Sequence, residues 1–405
     1  MKIERTLSKV TITKKGEESI LNGHPWVFEG EIKDISNKYI NGDLVDVVNE
    51  KGKYLGTGFI NDNSKIRIRI VTRNINDTID SNFWKRRVSY AYNYRLQVMT
   101  KDDYKCMRII FGEADGFPGL TIDRFNDILV CEVLSLGMEK NKDTIFSSLL
   151  EVLAENGEQI NAIYERNESL IRKKEGLDLY KGYYFKNECV QTNYTIIEEN
   201  GIKYKVDYEN GQKTGFFLDQ KQNRLAIRNI ANGKRVLDCC THTGSFSFNA
   251  IMGGAIESIA LDISEEALNI TRENSKLNNM EDKMKYVKAD LFDYLEKLEK
   301  GKFDFIILDP PAFTKSRKTL NSALKGYKEI NKLAMHALKR GDFLATASCS
   351  SFATPELFIN MLKDASKEAG VGLKLVEERR QSSDHPILLG VKETEYLKFY
   401  IFQII

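Results

Sequence analysis

The chain has 405 residues, of which 42% are hydrophobic and 29% are charged. This length is too great for one ordinary core, so two or three domains are expected. The 60 Lys and Arg residues nearly balance the 58 Asp and Glu residues, and the net charge is +2. Any surface for nucleic acid must therefore be a local patch.

Several classes of protein are excluded. No apolar run approaches the roughly 18 residues that a membrane span needs, and residues 1–15 lack the apolar core of a signal peptide. The six cysteines form no C-x-x-C pair and the four histidines lie far apart, so neither a disulfide scaffold nor a metal site is expected. These features predict a soluble cytoplasmic protein that contacts no membrane and holds no metal.

The first part of the chain, residues 1–73, has a β pattern. Its runs of alternating apolar residues are separated by turn signals, which predicts a small β-barrel or sandwich. In the run 65–71 the polar positions are Lys and Arg, so one face of that strand should be apolar and the other cationic.

The second part, residues 74–185, mixes helical and strand patterns. Helical patterns cover 83–98 and 142–154, and between them lie hairpin strands at 107–111 and 115–124. An α+β domain is expected here.

The third part, residues 186–405, alternates strands and helices. The buried-type strands are expected at 235–238, 258–262, 284–287 and 303–309, with a helix at 265–277 among the segments between them. This spacing predicts an α/β fold with a parallel, doubly wound sheet.

Acids stand at the ends of these strands. Asp238, Asp262 and Asp309 end their strands and Asp290 follows the third. Ligands of such sheets bind beyond the carboxyl ends of the strands, where Asp262 could accept both hydroxyls of a ribose and Asp290 an exocyclic amine. One such acid is often only a surface residue, but four in register favour a ligand site.

The loop after the first of these strands has a single glycine and an acid at its entrance. A pyrophosphate-binding loop needs G-x-G-x-x-G, whereas a carboxylate suits an ammonium group. S-adenosylmethionine (SAM) fits this pattern, with its amino-acid part at the loop. The candidate cofactor contacts in this part are Asp238, Thr243, Gly244, Ser245, Asp262, Ile263, Ser264, Asp290, Leu291 and Asp309.

The segment Asp309-Pro310-Pro311 is a more specific signal of a binding site than the single acids at the strand ends. The prolines stiffen the backbone and remove N–H donors, so carbonyls and the acid can face a planar base, with Phe313 placed to stack on it. A proline-terminated strand without a ligand is the alternative.

A basic run follows this segment. Between Phe313 and residue 340 there are eight Lys or Arg residues and one acid. We predict a phosphate track for RNA, with a solvated helix face as the alternative. Its foremost members are Lys315, Arg317 and Lys318, and Arg67, Arg69 and Arg73 of the first domain could grip RNA as well.

Cys349 begins a loop where the strand at 343–347 ends. A thiol on that rim near cations can have a lowered pKa and act as a nucleophile. The residue pattern leaves a buried structural cysteine equally open.

Taken together, the sequence resembles bacterial SAM-dependent ribosomal RNA cytosine-C5 methyltransferases with an N-terminal PUA domain. Three segments carry the resemblance over nearly the whole chain: His24–Phe28 with the following Gly-Glu-Ile, the motif Asp115–Arg124, and the long lead-in Lys213–Arg224. The resemblance implies a PUA-like RNA-binding domain, a central domain and a Rossmann-like methyltransferase domain.

The resemblance also implies site residues. The lead-in would place Phe217, Gln220 and Arg224 near SAM, and Cys349 would be the nucleophile. Asp309 would lie near N3 of the cytosine. The partner would be ribosomal RNA, of the large subunit. The sequence leaves a homodimer open.

One departure concerns Ala312. Two-cysteine RNA cytosine methyltransferases have a cysteine at that position, which helps to release the product. Two other functions therefore stay open: methylation of an exocyclic amine through Asp309-Pro310-Pro311, and a non-catalytic RNA-binding assembly factor.

Overall fold

The computed structural model describes residues 6–314 and 316–405. The chain divides into two compact units. Unit 1 comprises the described residues up to 195 together with 206–217 and 383–394, and unit 2 comprises 196–205, 218–382 and 395–405. Within the described residues, no helix is long and apolar enough to cross a membrane. The domain boundaries expected at 73/74 and 185/186 stay predictions.

Unit 1 begins with a six-stranded sheet. Its elements are β1 (Ser8–Ile12), α1 (Lys14–Leu21), β2 (Trp26–Phe28), β3 (Ile32–Ile35), β4 (Leu44–Val48), β5 (Tyr54–Ile60) and β6 (Ile66–Thr72). The strand order is β2-β6-β5-β4-β1-β3, with β1 and β4 parallel and the other pairs antiparallel. A Cβ on Gly58 would lie 2.3 Å from the Arg69 carbonyl oxygen, so the close approach of β5 and β6 at the register shift of their pairing requires glycine.

A second sheet of five strands follows in unit 1. Its elements are α2 (Ser81–Val98), β7 (Cys106–Phe111), β8 (Leu120–Phe125), β9 (Ile128–Val133), α3 (Leu136–Glu155), β10 (Ala162–Asn167), α4 (Ile171–Lys174) and β11 (Tyr180–Lys186), with the strand order β11-β10-β9-β8-β7. Trp84 of α2 is buried and stacks between Phe59 and Phe117 at centroid distances of 6.5 and 5.6 Å. The two sheets of unit 1 therefore share apolar packing.

The cationic face expected on β6 is neutralised within unit 1. Arg69 is nearly buried and pairs with Glu175 at 2.8 Å. Arg67 pairs with Glu29 at 2.8 Å and Asp62 at 2.7 Å. Both arginines therefore already have acidic partners, and their contact with RNA stays a prediction.

Unit 2 is built on a seven-stranded sheet. A hairpin of β12 (Tyr194–Glu199) and β13 (Ile202–Asp207), divided between the units, precedes α5 (Lys221–Arg228), β14 (Arg235–Cys239), α6 (Ser245–Met252), β15 (Glu257–Asp262), α7 (Glu265–Leu277), β16 (Met284–Lys288), α8 (Leu291–Glu296), β17 (Phe305–Leu308), α9 (Leu320–Ala337), β18 (Phe343–Ser348), α10 (Pro355–Ala369), β19 (Leu373–Arg379) and β20 (Lys398–Ile404). The order is β16-β15-β14-β17-β18-β20-β19.

The first five strands of this sheet are parallel, and β20 and β19 add an antiparallel edge. Alternate residues of β17 point to opposite cores: Ile306 packs with α8, α9 and α10, whereas Phe305 and Ile307 pack with α5 and α6. Helices thus cover both faces, which confirms the predicted doubly wound fold.

Candidate cofactor and catalytic site

The four strand-end acids of unit 2 all affect the electrostatic environment of one thiol, that of Cys240. Burial raises the pKa of Cys240, the residue that follows β14, and the negative charges of Asp262, Asp309, Asp238 and Asp290 raise it further. All four carboxylates therefore lie within electrostatic reach of one point. The carboxyl ends of β14, β15, β16 and β17 form a single acidic rim, as the strand register requires.

Asp238 anchors the loop after β14 with one of its two oxygens. Oδ2 accepts hydrogen bonds from Thr241 Oγ1 at 2.6 Å and from the amide and hydroxyl of Ser247 at 3.0 and 2.8 Å. Oδ1 is buried and has no partner among the described residues. Burial raises the pKa of Asp238 to about 6, against those hydrogen bonds, and Asp262 adds to the rise. This carboxylate can therefore take a cation.

The same loop has a strained backbone. Cys240 and His242 have φ of 59° and 52°, and Gly244 has φ of 80°. A Cβ on Gly244 would also lie 2.5 Å from Thr271 Cγ2, so glycine is required there. Thr243 Oγ1 is buried without a partner among the described residues. Strain and an unmet hydroxyl at one turn are typical of a ligand-binding loop.

Asp262 connects this loop to the end of β15. Its Oδ2 accepts from the His242 amide at 3.1 Å and its Oδ1 accepts from the Ser264 amide at 2.9 Å. Each carboxylate oxygen can accept a second hydrogen bond, so hydroxyl donors of a ribose can still bind. Ile263, between these two residues, is 67% exposed.

Asp290 lies at the start of α8. Its Oδ1 accepts from the amides of Phe292 at 2.8 Å and Asp293 at 3.3 Å, which makes it the N-cap of that helix. Leu291, the next residue, is buried. A cavity of about 360 Å³ opens beside this turn, lined by residues between 289 and 302. An exocyclic amine could reach Asp290 from there.

Asp309 is held in place from the lead-in. Its Oδ1 accepts from Gln220 Nε2 at 3.0 Å, and Gln220 Oε1 in turn accepts from Asn223 Nδ2 at 2.7 Å. Gln220 and Asn223 are buried, as is Pro310, whereas Pro311 is exposed. The carboxylate direction is thus fixed before any ligand binds.

Phe313 packs within the protein. Its ring stacks on Tyr327 at 4.5 Å and on Phe292 at 6.3 Å between centroids, and its amide donates to Tyr327 Oη at 3.3 Å. Its stacking on a substrate base stays a prediction.

Cys349 lies beside the Asp309 loop. Leu308 at the end of β17 pairs with Thr346 of β18, and Ser350 Oγ donates to the Thr314 carbonyl at 3.1 Å. Burial raises the pKa of Tyr327, and the nearby charges of Cys349 and Asp309 raise it further. The structure therefore brings together the two loops that the sequence singled out.

Comparison with known proteins identifies the family. Residues 181–402 match the S-adenosylmethionine-dependent methyltransferase family, and residues 10–73 match the PUA-like domain. A ribosomal RNA large subunit methyltransferase I from Shigella dysenteriae serotype 1 is 38% identical over 98% of this chain and 99% of its own. That from Escherichia coli O139:H28 is 39% identical over 96% and 98%.

The chain belongs to the ribosomal RNA large subunit methyltransferase I family. Solved structures agree on the fold. A Streptococcus mutans chain described as a SAM-dependent methyltransferase has a TM-score of 0.80 at 20% identity, and a methyltransferase complexed with SAH has 0.81 at 21%. Each match covers 98% of this chain and 99% of the other.

SAM is therefore the cofactor of this family member, as the sequence predicted. The residues present fit it, because the buried Oδ1 of Asp238 and Oγ1 of Thr243 lack partners within the described chain and can meet the polar amino-acid end. Gly244 and Ser245 begin α6 at this loop. The assignment of each residue to a part of SAM stays a prediction.

Two lead-in residues have other partners. Arg224 is buried and forms a bidentate ion pair with Glu199, with both distances 2.7 Å. Phe217 belongs to unit 1, where the Lys213 ammonium lies 4.7 Å from its ring centroid. Their contact with SAM stays a prediction, in contrast to Gln220, which binds an acid of the rim.

The basic run is only partly free. Arg317 and Lys318 are exposed in the turn Arg317–Thr319 and form no ion pair within the described chain, and Lys315 lies outside the described residues. In α9, by contrast, Lys328 binds Glu368 and Lys332 binds Glu329, each at 2.7 Å.

Sequence reasoning missed Lys398 of this methyltransferase. Its side chain is 3% exposed, and its Nζ donates to the carbonyls of Ser350 at 2.5 Å and Tyr396 at 2.8 Å. Burial lowers the pKa of Lys398 to about 8, although Cys349 and Glu395 oppose this. The signal was a lysine in the apolar run 397–402.

Proposed function

We propose that this protein methylates carbon 5 of a cytosine in large-subunit ribosomal RNA. The substrate follows from the name shared by its full-length relatives. One observation supports carbon 5 as the methylated position. The Cys349 loop is bound to the Asp309 loop at the acidic rim by the hydrogen bond from Ser350 to Thr314. A thiol beside a carboxylate is the pair that C5 chemistry needs, since that carbon is a weak nucleophile.

The thiolate of Cys349 would add to C6 of the ring. The bond that forms uses the sulfur electron pair, and the C5–C6 π electrons move onto C5 and the ring. Asp309, held by Gln220, would stabilise the ring protonated at N3 and so favour this addition. C5 then has the electron density that the free base lacks. SAM, when bound, supplies the methyl group that C5 accepts.

Release requires a base. Once C5 carries both a hydrogen and the methyl group, a base removes the C5 proton. The electrons of that C–H bond restore the C5–C6 double bond, and the thiolate leaves C6. Position 312 is alanine, so no second cysteine assists there and another base or a water must act.

The decisive experiment combines a trap with a substitution. RNA that contains 5-fluorocytosine has no proton at C5, so the covalent adduct should accumulate in wild type with SAM and be absent in Cys349→Ser. That variant should also lose methyl transfer, because a hydroxyl is far less nucleophilic than a thiolate, while still binding SAM. Cys189→Ser, which changes an exposed cysteine, should behave as wild type.

A second function, methylation of an exocyclic amine, is favoured by the sequence Asp309-Pro310-Pro311 followed by Ala312 and Phe313. Under it, the nitrogen lone pair needs no covalent help, so a folded Cys349→Ser protein would methylate at near wild-type rate. That result would refute the C5 proposal. An intact chain that binds RNA and SAM but transfers no methyl group would favour a non-catalytic factor.

A further inference from the structure

Lys398 is a buried lysine on the strand next to the Cys349 loop. It begins β20, where it pairs in antiparallel register with Ser348, the last residue of β18. Its Nζ binds the carbonyl of Ser350. Residues on both sides of Cys349 are thus bonded or paired to Lys398, so its ammonium lies next to the loop that presents the thiol.

No acid among the residues that the structure describes forms an ion pair with Lys398. Its two hydrogen-bond acceptors, the Ser350 and Tyr396 carbonyls, are neutral. The titratable groups that act on it are Cys349, in the loop after β18, and Glu395, ahead of β20. Glu395 is already ion-paired with Arg380. Of these two groups, Cys349 has the larger electrostatic effect on the Lys398 ammonium.

We propose that Lys398 is a positioning residue for Cys349. The Lys398 ammonium fixes the loop through the Ser350 carbonyl and favours the thiolate form of the Cys349 thiol. This inference rests on the proposed function, in which Cys349 is the nucleophile. The attraction is reciprocal: the thiolate favours the ammonium, and the ammonium favours the thiolate by the same free energy. The proton that the thiol loses passes to water.

Burial makes the interaction strong. A charge pair screened from water interacts through a low effective dielectric, and the side chain of Lys398 is 3% exposed. The same burial lowers the pKa of Lys398 to about 8. The effect on Cys349 should therefore be present near pH 7 and fade as the pH rises through 8, when the amine loses its charge.

Alkylation of Cys349 tests this directly. Iodoacetamide is added to the full chain between pH 6 and 9, and the modified Cys349 peptide is quantified by mass spectrometry. The central variant is Lys398→Gln, whose amide can still donate to both carbonyls but has no charge. Lys398→Arg keeps the charge, and Lys374→Met, which changes an exposed lysine of β19, is the matched control.

We expect Lys398→Gln to slow alkylation at pH 7 about tenfold, which corresponds to one unit of thiol pKa, and Lys398→Arg to restore part of the rate. The control should match wild type. A Lys398→Gln curve that superimposes on wild type across the pH range would overturn the proposal. If the Gln variant does not fold, the same comparison is made with Lys398→Met.

The outcome separates this inference from the proposed function. Alkylation requires neither RNA nor methyl transfer, so the effect of Lys398 is measured even if Cys349→Ser remains active and the C5 proposal fails. Conversely, normal formation of the 5-fluorocytosine adduct in Lys398→Gln, together with unchanged alkylation, would refute the positioning role of Lys398. That result would leave the proposed role of Cys349 as nucleophile intact. In a methyl-transfer assay under the conditions used for the wild-type protein, we expect Lys398→Gln to lower kcat and to leave KM for RNA unchanged.

Discussion

Two buried cations of unit 2 are treated differently by the fold. Arg224 in the lead-in is 2% exposed, and both oxygens of Glu199 bind it, so that the pKa of Arg224 is raised although burial opposes this. Lys398 beside the Cys349 loop is 3% exposed and binds two carbonyls, and burial lowers its pKa to about 8. The charge of Arg224 is neutralised by Glu199 in a structural ion pair. The charge of Lys398 has only neutral hydrogen-bond acceptors within the described chain and can therefore act on neighbouring groups.

The largest effect expected from this comparison is on stability. Arg224→Met leaves Glu199 buried and unpaired, which should lower the free energy of unfolding by about 3–5 kcal/mol. Denaturant melts would measure it. The double variant Arg224→Met, Glu199→Met should recover much of the loss, because it removes both charges, and Lys398→Met should cost clearly less than Arg224→Met. Equal losses in the two single variants would contradict the division between a structural and a reactive cation.

The next effect concerns an acid of the rim. If Asp262 accepts the ribose hydroxyls of SAM, as the sequence predicts, Asp262→Ala should weaken SAM binding by roughly 1.5–3 kcal/mol, the usual value for hydrogen bonds to a charged group. Calorimetry on the full chain measures this. Asp282→Ala, which changes an exposed acid in the turn before β16, is the control. Undiminished affinity in folded Asp262→Ala protein would remove the ribose assignment.

The same comparison explains what the sequence could predict. The strand-end acids were found because strand ends and their register follow from local pattern. The partner of Arg224 was not found, because Glu199 lies in another element and nothing in the local pattern joins them. The partner of Arg69 was not found for the same reason, since Glu175 lies more than a hundred residues away.

Lys398 shows the opposite case. A lysine within an apolar strand can be recognised from sequence as a buried charge, but its role depends on the antiparallel pairing of β20 with β18. The sequence predicted a parallel sheet and contained no local signal for that pairing. Site residues that depend on an unforeseen strand neighbour are therefore the ones that sequence reasoning misses.

Asp238 predicts a pH dependence of SAM binding. Burial raises the pKa of its carboxyl to about 6, so in the free protein it is ionised above pH 6 and neutral below it. If it binds the ammonium of SAM, the affinity should be constant above pH 6 and fall up to tenfold for each unit below it. In Asp238→Asn the affinity should be lower and nearly independent of pH. A wild-type affinity that does not change between pH 7 and 5 would contradict this contact.

The smallest expected effect tests charges that have no acidic partner within the described chain, those of Arg317 and Lys318. Both lie directly after the Asp309 loop and are exposed, so RNA phosphates could replace the water around them. Each phosphate contact with single-stranded RNA contributes about 0.7 to the slope of log affinity against log salt. The double variant Arg317→Gln, Lys318→Gln should therefore flatten the slope by up to about twice that value. Lys328→Gln is the matched control, since Lys328 already binds Glu368 at 2.7 Å, and its slope should equal that of wild type. If the double variant keeps the wild-type slope, these two side chains form a solvated face, and the RNA lies elsewhere.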